Sequence, residues 1–183
     1  MTRTALALLA ILSGTAVVLL AMGRVPVCAC GTIKLWHGVT MSAENSQHLT
    51  DWYTPSHVLH GLFFYWVLHW LAPRRTFGWG LVAATLVEAA WEIVENTDAV
   101  IDRYRAVTIA LDYYGDSVIN SVVDIAAMWL GFWLARVLPV WASIGTFVAA
   151  EAVTTWWIRD GLLLNVLMLL WPLESVRMWQ GGA

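Results

Sequence analysis

The sequence predicts an all-α fold: a polytopic integral membrane helical bundle of about six transmembrane helices, with both termini on the cytoplasmic side (N-in and C-in). Three observations carry this. The 183-residue chain is 60% hydrophobic and only 13% charged, with a mean hydropathy of +0.66, where a soluble domain is about half apolar and about a quarter charged. Its apolar runs approach the ~20 residues that a helix needs to cross a bilayer. Its 13 tryptophans gather near the ends of those runs, as in interfacial aromatic belts.

The first run, Ala5–Met22, follows a single arginine and is longer than a signal-peptide core, so it reads as a retained transmembrane helix. The second, Pro55–Leu71, opens with a proline, which a helix start tolerates because that N–H is unpaired anyway. The third is Phe77–Glu95. The fourth, Val118–Leu138, stops at Pro139. The fifth is Val140–Ile158. The sixth, Leu162–Leu173, is short and contains Pro172, so it is read as a tilted or partly inserted span. With six crossings, Arg3, Arg74, Arg75, Arg136 and Arg177 share one side, which the positive-inside rule makes cytoplasmic. The chain is thus expected to be one membrane domain over residues 1–183, in the cell inner membrane of a bacterium. A periplasmic loop, 24–54, and an interfacial loop, 97–117, lie on the other face. The formal net charge of -3 and the lack of a basic patch exclude a nucleic-acid partner.

Cys28 and Cys30 are one residue apart in the first loop. A bridge over so short a loop is geometrically restricted. The pair reads foremost as a local turn with incidental cysteines, and otherwise as soft-metal ligands, a strained redox pair or free thiols.

Polar residues concentrate where the outer ends of the runs meet. The stretch Ser42–Gly61, SAENSQHLTDWYTPSHVLHG, holds His48, Asp51, His57 and His60. His57 and His60 are three apart, hence neighbours on one helix face. Glu88, Glu92 and Glu95 fall at i, i+4 and i+7 on one face of the third run. Asp116, Asn120 and Asp124 do so at the start of the fourth, and Glu151 sits deep in the fifth. Carboxylates are costly in lipid, so these groups are expected to line a shared cavity facing the periplasm, with Arg103 and Arg105 as partners. Histidine plus carboxylate suits a divalent metal ion, here His57, His60, Glu92, Glu95 and Asp124. Glu92, Glu95, Asp124 and His57 are the candidate catalytic groups, by metal assistance or by acid–base transfer. His48, Asp51, Arg103, Arg105, Asn120 and Glu151 are candidate substrate or rim residues. No HExxH, phosphate-cradling glycine loop or nucleophile elbow is present.

The strings CACGTIKLWHGVTMSAENSQHLTDWYTPSHVLHG, WEIVENTDAVIDRYRAVTIALDYYGDSVINSVVD and GFWLARVLP resemble a small proteobacterial inner-membrane family, domain of unknown function 2585, also grouped as UPF0314. The resemblance covers most of the chain and rests on long polar strings, but it brings no catalytic residues. The acidic end of the third run, the arginine-bearing loop and the Asp116/Asn120/Asp124 helix start are more weakly similar to VanZ-like membrane proteins, which implies an envelope or lipid-related role.

The first functional expectation is therefore a metal-assisted or acid–base hydrolase or transferase on a lipid-linked or envelope substrate, in contact with membrane lipid. A small proton- or cation-coupled transporter or lipid-binding protein is a second reading, favoured by the depth of Glu151. A structural envelope partner docking through loop 24–54 is a third.

Overall fold

The computed structural model describes residues 2–182. In chain order the described residues form α1 (Arg3–Ala21), β1 (Trp36–His37), β2 (Thr50–Asp51), α2 (Thr54–Leu71), α3 (Phe77–Glu95), α4 (Asp98–Val107), α5 (Val118–Val137), α6 (Val140–Ile158), α7 (Leu162–Leu170) and α8 (Glu174–Gly181). Several helices begin where a hydroxyl satisfies a free amide of the first turn. Thr2 accepts from the Ala5 amide at 3.2 Å, Thr76 from Trp79 at 3.3 Å and Ser117 from Asn120 at 3.3 Å. Pro55 occupies the first turn of α2.

The expected six crossings are corrected by this structure. Among the described residues, three helices are long and apolar enough to cross a membrane, α1, α3 and α5; a fourth span exists only if α6 and α7, bent by 70° at their junction, count as one broken span. The count drops for two physical reasons. Helix α2 is 18 residues long, but His57, His60, His69 and a Thr-Pro-Ser opening dilute its apolar character. Helix α7 has only nine residues, about half of what a span needs. The N-in, C-in assignment depended on six crossings and falls with them.

The bundle centres on α2 against α5, its most extensive packed pair, with α1 and α3 alongside. Gly61 and Gly131 let these two backbones touch. A Cβ on Gly61 would lie 2.0 Å from the Met128 carbonyl oxygen, and one on Gly131 would lie 1.9 Å from that of Val58. Close approach through small residues is the usual solution where helices pack inside a membrane. Leu59, Leu62, Met128, Phe132 and Ala135 fill the space around the crossing. Helix α6 is mostly apolar and leaves Trp141, Val148, Trp156 and Trp157 exposed, side chains suited to lipid contact.

The long loop before α2 folds back as a roof over one end of the bundle. Strands β1 and β2 pair in parallel, Trp36 with Thr50 and His37 with Asp51. The roof is tied to the start of α5: the Val118 and Ile119 amides donate to the Val25 and Pro26 carbonyls at 2.9 and 3.2 Å, and the Ser117 amide donates to the Ser46 carbonyl at 2.9 Å. These bonds occupy amides that the first turn of α5 cannot satisfy itself.

Candidate functional site

The first two turns of α2 meet the last turns of α3 beneath this roof. His57 Nδ1 lies 2.6 Å from Glu88 Oε1, and His60 Nδ1 lies 3.0 Å from both Glu88 oxygens. One buried carboxylate thus bridges two imidazoles. Glu92 Oε1 stands 3.4 Å from His57 Nδ1, and Asp124 Oδ2 of α5 stands 3.8 Å from His57 Nε2. Glu88 belongs to the acidic face read from the sequence, yet it was absent from the expected ligands. It sits one turn deeper than Glu92, where His57 and His60 reach it.

A second layer surrounds this centre. Asp116 accepts from Asn96 Nδ2 at 2.7 Å and from the Tyr113 hydroxyl at 3.0 Å, while Asn96 Oδ1 accepts the Asp116 amide at 2.7 Å. Burial still pushes the Asp116 carboxyl up to about 6. Glu95 lines the adjoining cavity. Asn120 is buried with its Nδ2 unpartnered among the described residues, as are Glu92 Oε1, Asp124 Oδ1 and the Ser121 hydroxyl. Buried polar atoms are normally paired, and of these four only Asp124 Oδ1 belongs to a residue that lines the cavity.

Other residues expected at the site lie elsewhere. Arg103 donates through Nε and Nη2 to the Leu169 carbonyl, at 3.2 and 3.1 Å. Arg105 donates to the Leu111 carbonyl at 3.3 Å and stacks over Tyr114 at 4.7 Å. Neither reaches the carboxylates, because α4 carries both outward. Glu151 accepts the Leu162 and Leu163 amides at 2.9 and 3.0 Å; it caps α7 at the bend, which explains its depth without transport. Asp51 is buried within the roof, where it accepts the Ser46 and Tyr53 amides at 3.0 and 2.7 Å, and burial raises its pKa.

His48 is wholly buried in the roof and meets Glu44 at 3.0 Å. Glu44 is also paired with Lys34, and those two partners hold its carboxyl down at about 2. Cys28 and Cys30 are joined as a disulfide, an outcome the short spacing did not favour.

Among the described residues, two groups of side chains therefore have metal-ligand spacing: His57, His60 and Glu88, and Cys28, Cys30, Glu44 and His48, each with its donor atoms within 4.8 Å of one another. A disulfide offers no thiolate, the form of cysteine that binds metal. The first group is intact as it stands and adjoins a cavity of about 160 Å³, more than ten times the ~10–15 Å³ that one water requires. An ion on His57 Nδ1 would leave the ring proton on Nε2, facing Asp124, the carboxylate–histidine–metal arrangement that orients ligands in metal sites. Without an ion, Glu88 is the hydrogen-bond partner of both Nδ1 atoms, and Nε2 of His57 faces Asp124 at 3.8 Å.

The chain also resembles known proteins along almost its whole length. A family model described as "Protein of unknown function (DUF2585)" matches residues 19–182. A UPF0314 protein of Paracoccus denitrificans is 70% identical over 164 residues, covering 90% of this chain and 85% of that protein. UPF0314 proteins of Rhizobium meliloti and Novosphingobium aromaticivorans are 52% and 50% identical, covering 98% and 91% of this chain and 93% and 86% of theirs. No solved structure matches. On this agreement the chain belongs to the proteobacterial DUF2585/UPF0314 family.

Proposed function

We propose that the protein is a divalent-metal-assisted hydrolase or transferase of the bacterial inner membrane, acting from a periplasm-facing cavity on a lipid-linked or envelope substrate. The observation that carries this is the convergence of His57, His60 and Glu88, with both histidines lining a cavity that Leu162 and Val166 of α7 also line. Val166 is exposed on the outer surface. An amphiphile fits such a cavity with its headgroup at the histidines and its tail leaving past α7. The bridged Cys28–Cys30 pair in the roof supports the periplasmic side, since disulfides persist in oxidising compartments.

In this reading His57, His60 and Glu88 would hold the ion, which would supply a Lewis acid at the headgroup. Glu92, 3.4 Å from His57, would accept the proton of the attacking water or hydroxyl and return it to the leaving group as the bond to that group breaks. Asp124 orients His57, and Glu95 and Asp116 set the polarity of the wall. Glu151 loses its value as evidence for transport, because its carboxylate is fully occupied at the start of α7.

Elemental analysis of protein purified in detergent without chelator tests the proposal. One equivalent of a divalent metal is expected, lost in a His57→Ala/His60→Ala variant and in Glu88→Gln. Absence of metal from folded wild-type protein, before and after incubation with zinc, manganese or magnesium, overturns the metal-assisted reading.

A further inference from the structure

The rest of the cavity lining differs chemically from its two histidines. Four aromatic side chains line it: Tyr53 at the edge of α2, Trp91 of α3, Tyr104 of α4 and Tyr113 of the following loop. Tyr104 and Tyr113 stand edge to face, with ring centroids 5.5 Å apart and planes at 83°, forming a corner. All three phenol hydroxyls are already engaged: Tyr53 with Asp160 at 3.2 Å, Tyr104 with Asn165 at 2.8 Å and Tyr113 with Asp116 at 3.0 Å. The rings are thereby fixed, and what they offer a ligand is the π surface.

Carboxylates complete the enclosure. Glu95, Asp116 and Asp124 line the same cavity, and among the described residues no lysine or arginine does. Asp124 is 4% exposed, and its Oδ1 has no hydrogen-bond partner. Aromatic faces attract a cation through their quadrupole, and most strongly one that sheds its water readily, such as an alkylated ammonium. Carboxylates in the lining, Asp124 with an unpartnered oxygen among them, add to that attraction and repel an anionic headgroup that brings no positive charge of its own.

We propose that the cavity recognises a headgroup carrying a quaternary or alkylated ammonium, seated against the Tyr104–Tyr113 corner and balanced by Glu95, Asp116 and Asp124. This names the substrate class for the metal-assisted reaction and rests on that reading only for the chemistry after binding. Binding itself requires no metal.

Calorimetry on the full-length protein in a non-ionic detergent, with chelator present, tests it. The probes are choline, its uncharged tert-butyl isostere, a short-chain phosphocholine lipid and a short-chain phosphoglycerol lipid. Choline is expected to bind at least about tenfold more tightly than the isostere, since the two differ only in charge. The phosphocholine lipid is expected to exceed the phosphoglycerol lipid by a similar factor. If the phosphocholine lipid binds far more tightly than choline, the ligand is a membrane lipid; if the two bind alike, it is a free cation. Tyr113→Leu and Asp124→Asn should weaken choline, whereas Tyr113→Phe, which keeps the ring, should retain it. Equal binding of choline and its isostere, or of the two lipids, overturns the proposal, and that comparison needs no variant. Because the metal is removed here and measured separately, either proposal can fail while the other stands.

Discussion

Substituting alanine for Gly61 or Gly131 tests how closely α2 and α5 must approach for the site to exist. The added Cβ would fall 2.0 Å from the Met128 oxygen in one case and 1.9 Å from the Val58 oxygen in the other, where ordinary contact begins at 3.4 Å. Both obstacles are backbone, so no rotamer change relieves the clash, and the helices must separate locally by about 1.4–1.5 Å, the difference between those distances. Overpacking a filled core costs roughly 1–3 kcal/mol, and a backbone obstacle puts G61A and G131A at or above the top of that range. His57 lies one turn before Gly61, and Asp124 two turns before Gly131, so separation also lengthens their 3.8 Å approach and should weaken metal retention. The assay is equilibrium unfolding in detergent followed by circular dichroism, with metal content measured in parallel. Gly145→Ala in α6 is the control, because its Cβ would meet nothing within 4 Å. The same change there should stabilise by up to about 1 kcal/mol through helix propensity. If G61A, G131A and G145A shift stability in the same direction and by similar amounts, the close crossing does not govern the packing of this bundle.

Three further outcomes are expected from the geometry. Zinc at about a hundred times its dissociation constant should stabilise the wild type by about 2.7 kcal/mol in detergent unfolding; the shift should vanish in His57→Ala/His60→Ala, and a shift retained there would place the ion elsewhere. Glu151→Ala removes the acceptor for the Leu162 and Leu163 amides and should cost about 3–6 kcal/mol, at roughly 1.5–3 kcal/mol for each of two charged hydrogen bonds, while leaving metal content unchanged; a cost below about 0.5 kcal/mol refutes the capping role. The Asp116 carboxyl is raised from 3.8 to about 6, so between those pH values the folded chain keeps a proton that the unfolded chain has released. Its contribution therefore makes stability fall as pH rises from about 4 to about 6. Asp116→Asn should flatten that part of the profile, and an unchanged slope would assign it to other groups.

Much of the helical layout is legible in the sequence, because apolar length and helix-stop residues are local properties. Phe77–Glu95 and Val140–Ile158 coincide with α3 and α6, and Val118–Leu138 exceeds α5 by one residue. What apolar length does not report is whether a helix crosses anything. Helix α2 is long but carries three histidines, and α6 and α7 meet at a 70° bend where Arg159 takes a left-handed conformation, φ 54°. Helix α4 is hidden inside the expected loop because its short run DAVIDRYRAV intersperses four charged residues among its apolar ones. Its signal was present in the spacing of Ile101, Tyr104 and Val107, buried at i, i+3 and i+6.

The candidate site divides along the same line between local and tertiary information. Helical spacing alone puts Glu88, Glu92 and Glu95 on one face, and His57 with His60 on another. Which carboxylate meets which imidazole depends on how far α2 and α3 overlap along their axes, and nothing local specifies that depth. The overlap places His57 and His60 opposite Glu88 rather than Glu95, leaving Glu92 and Asp124 within reach of His57 but unpaired on one oxygen each. The same tertiary step separates residues that composition alone would group together. Glu151, Arg103 and Arg105 are all polar groups at the edge of an apolar bundle, yet each is consumed by main-chain atoms at the ends of elements. A buried polar side chain whose partners are main-chain atoms at an element boundary is explained by folding. One whose neighbours are other titratable side chains, with atoms left unpaired, is not, and in this chain that description fits the surroundings of His57.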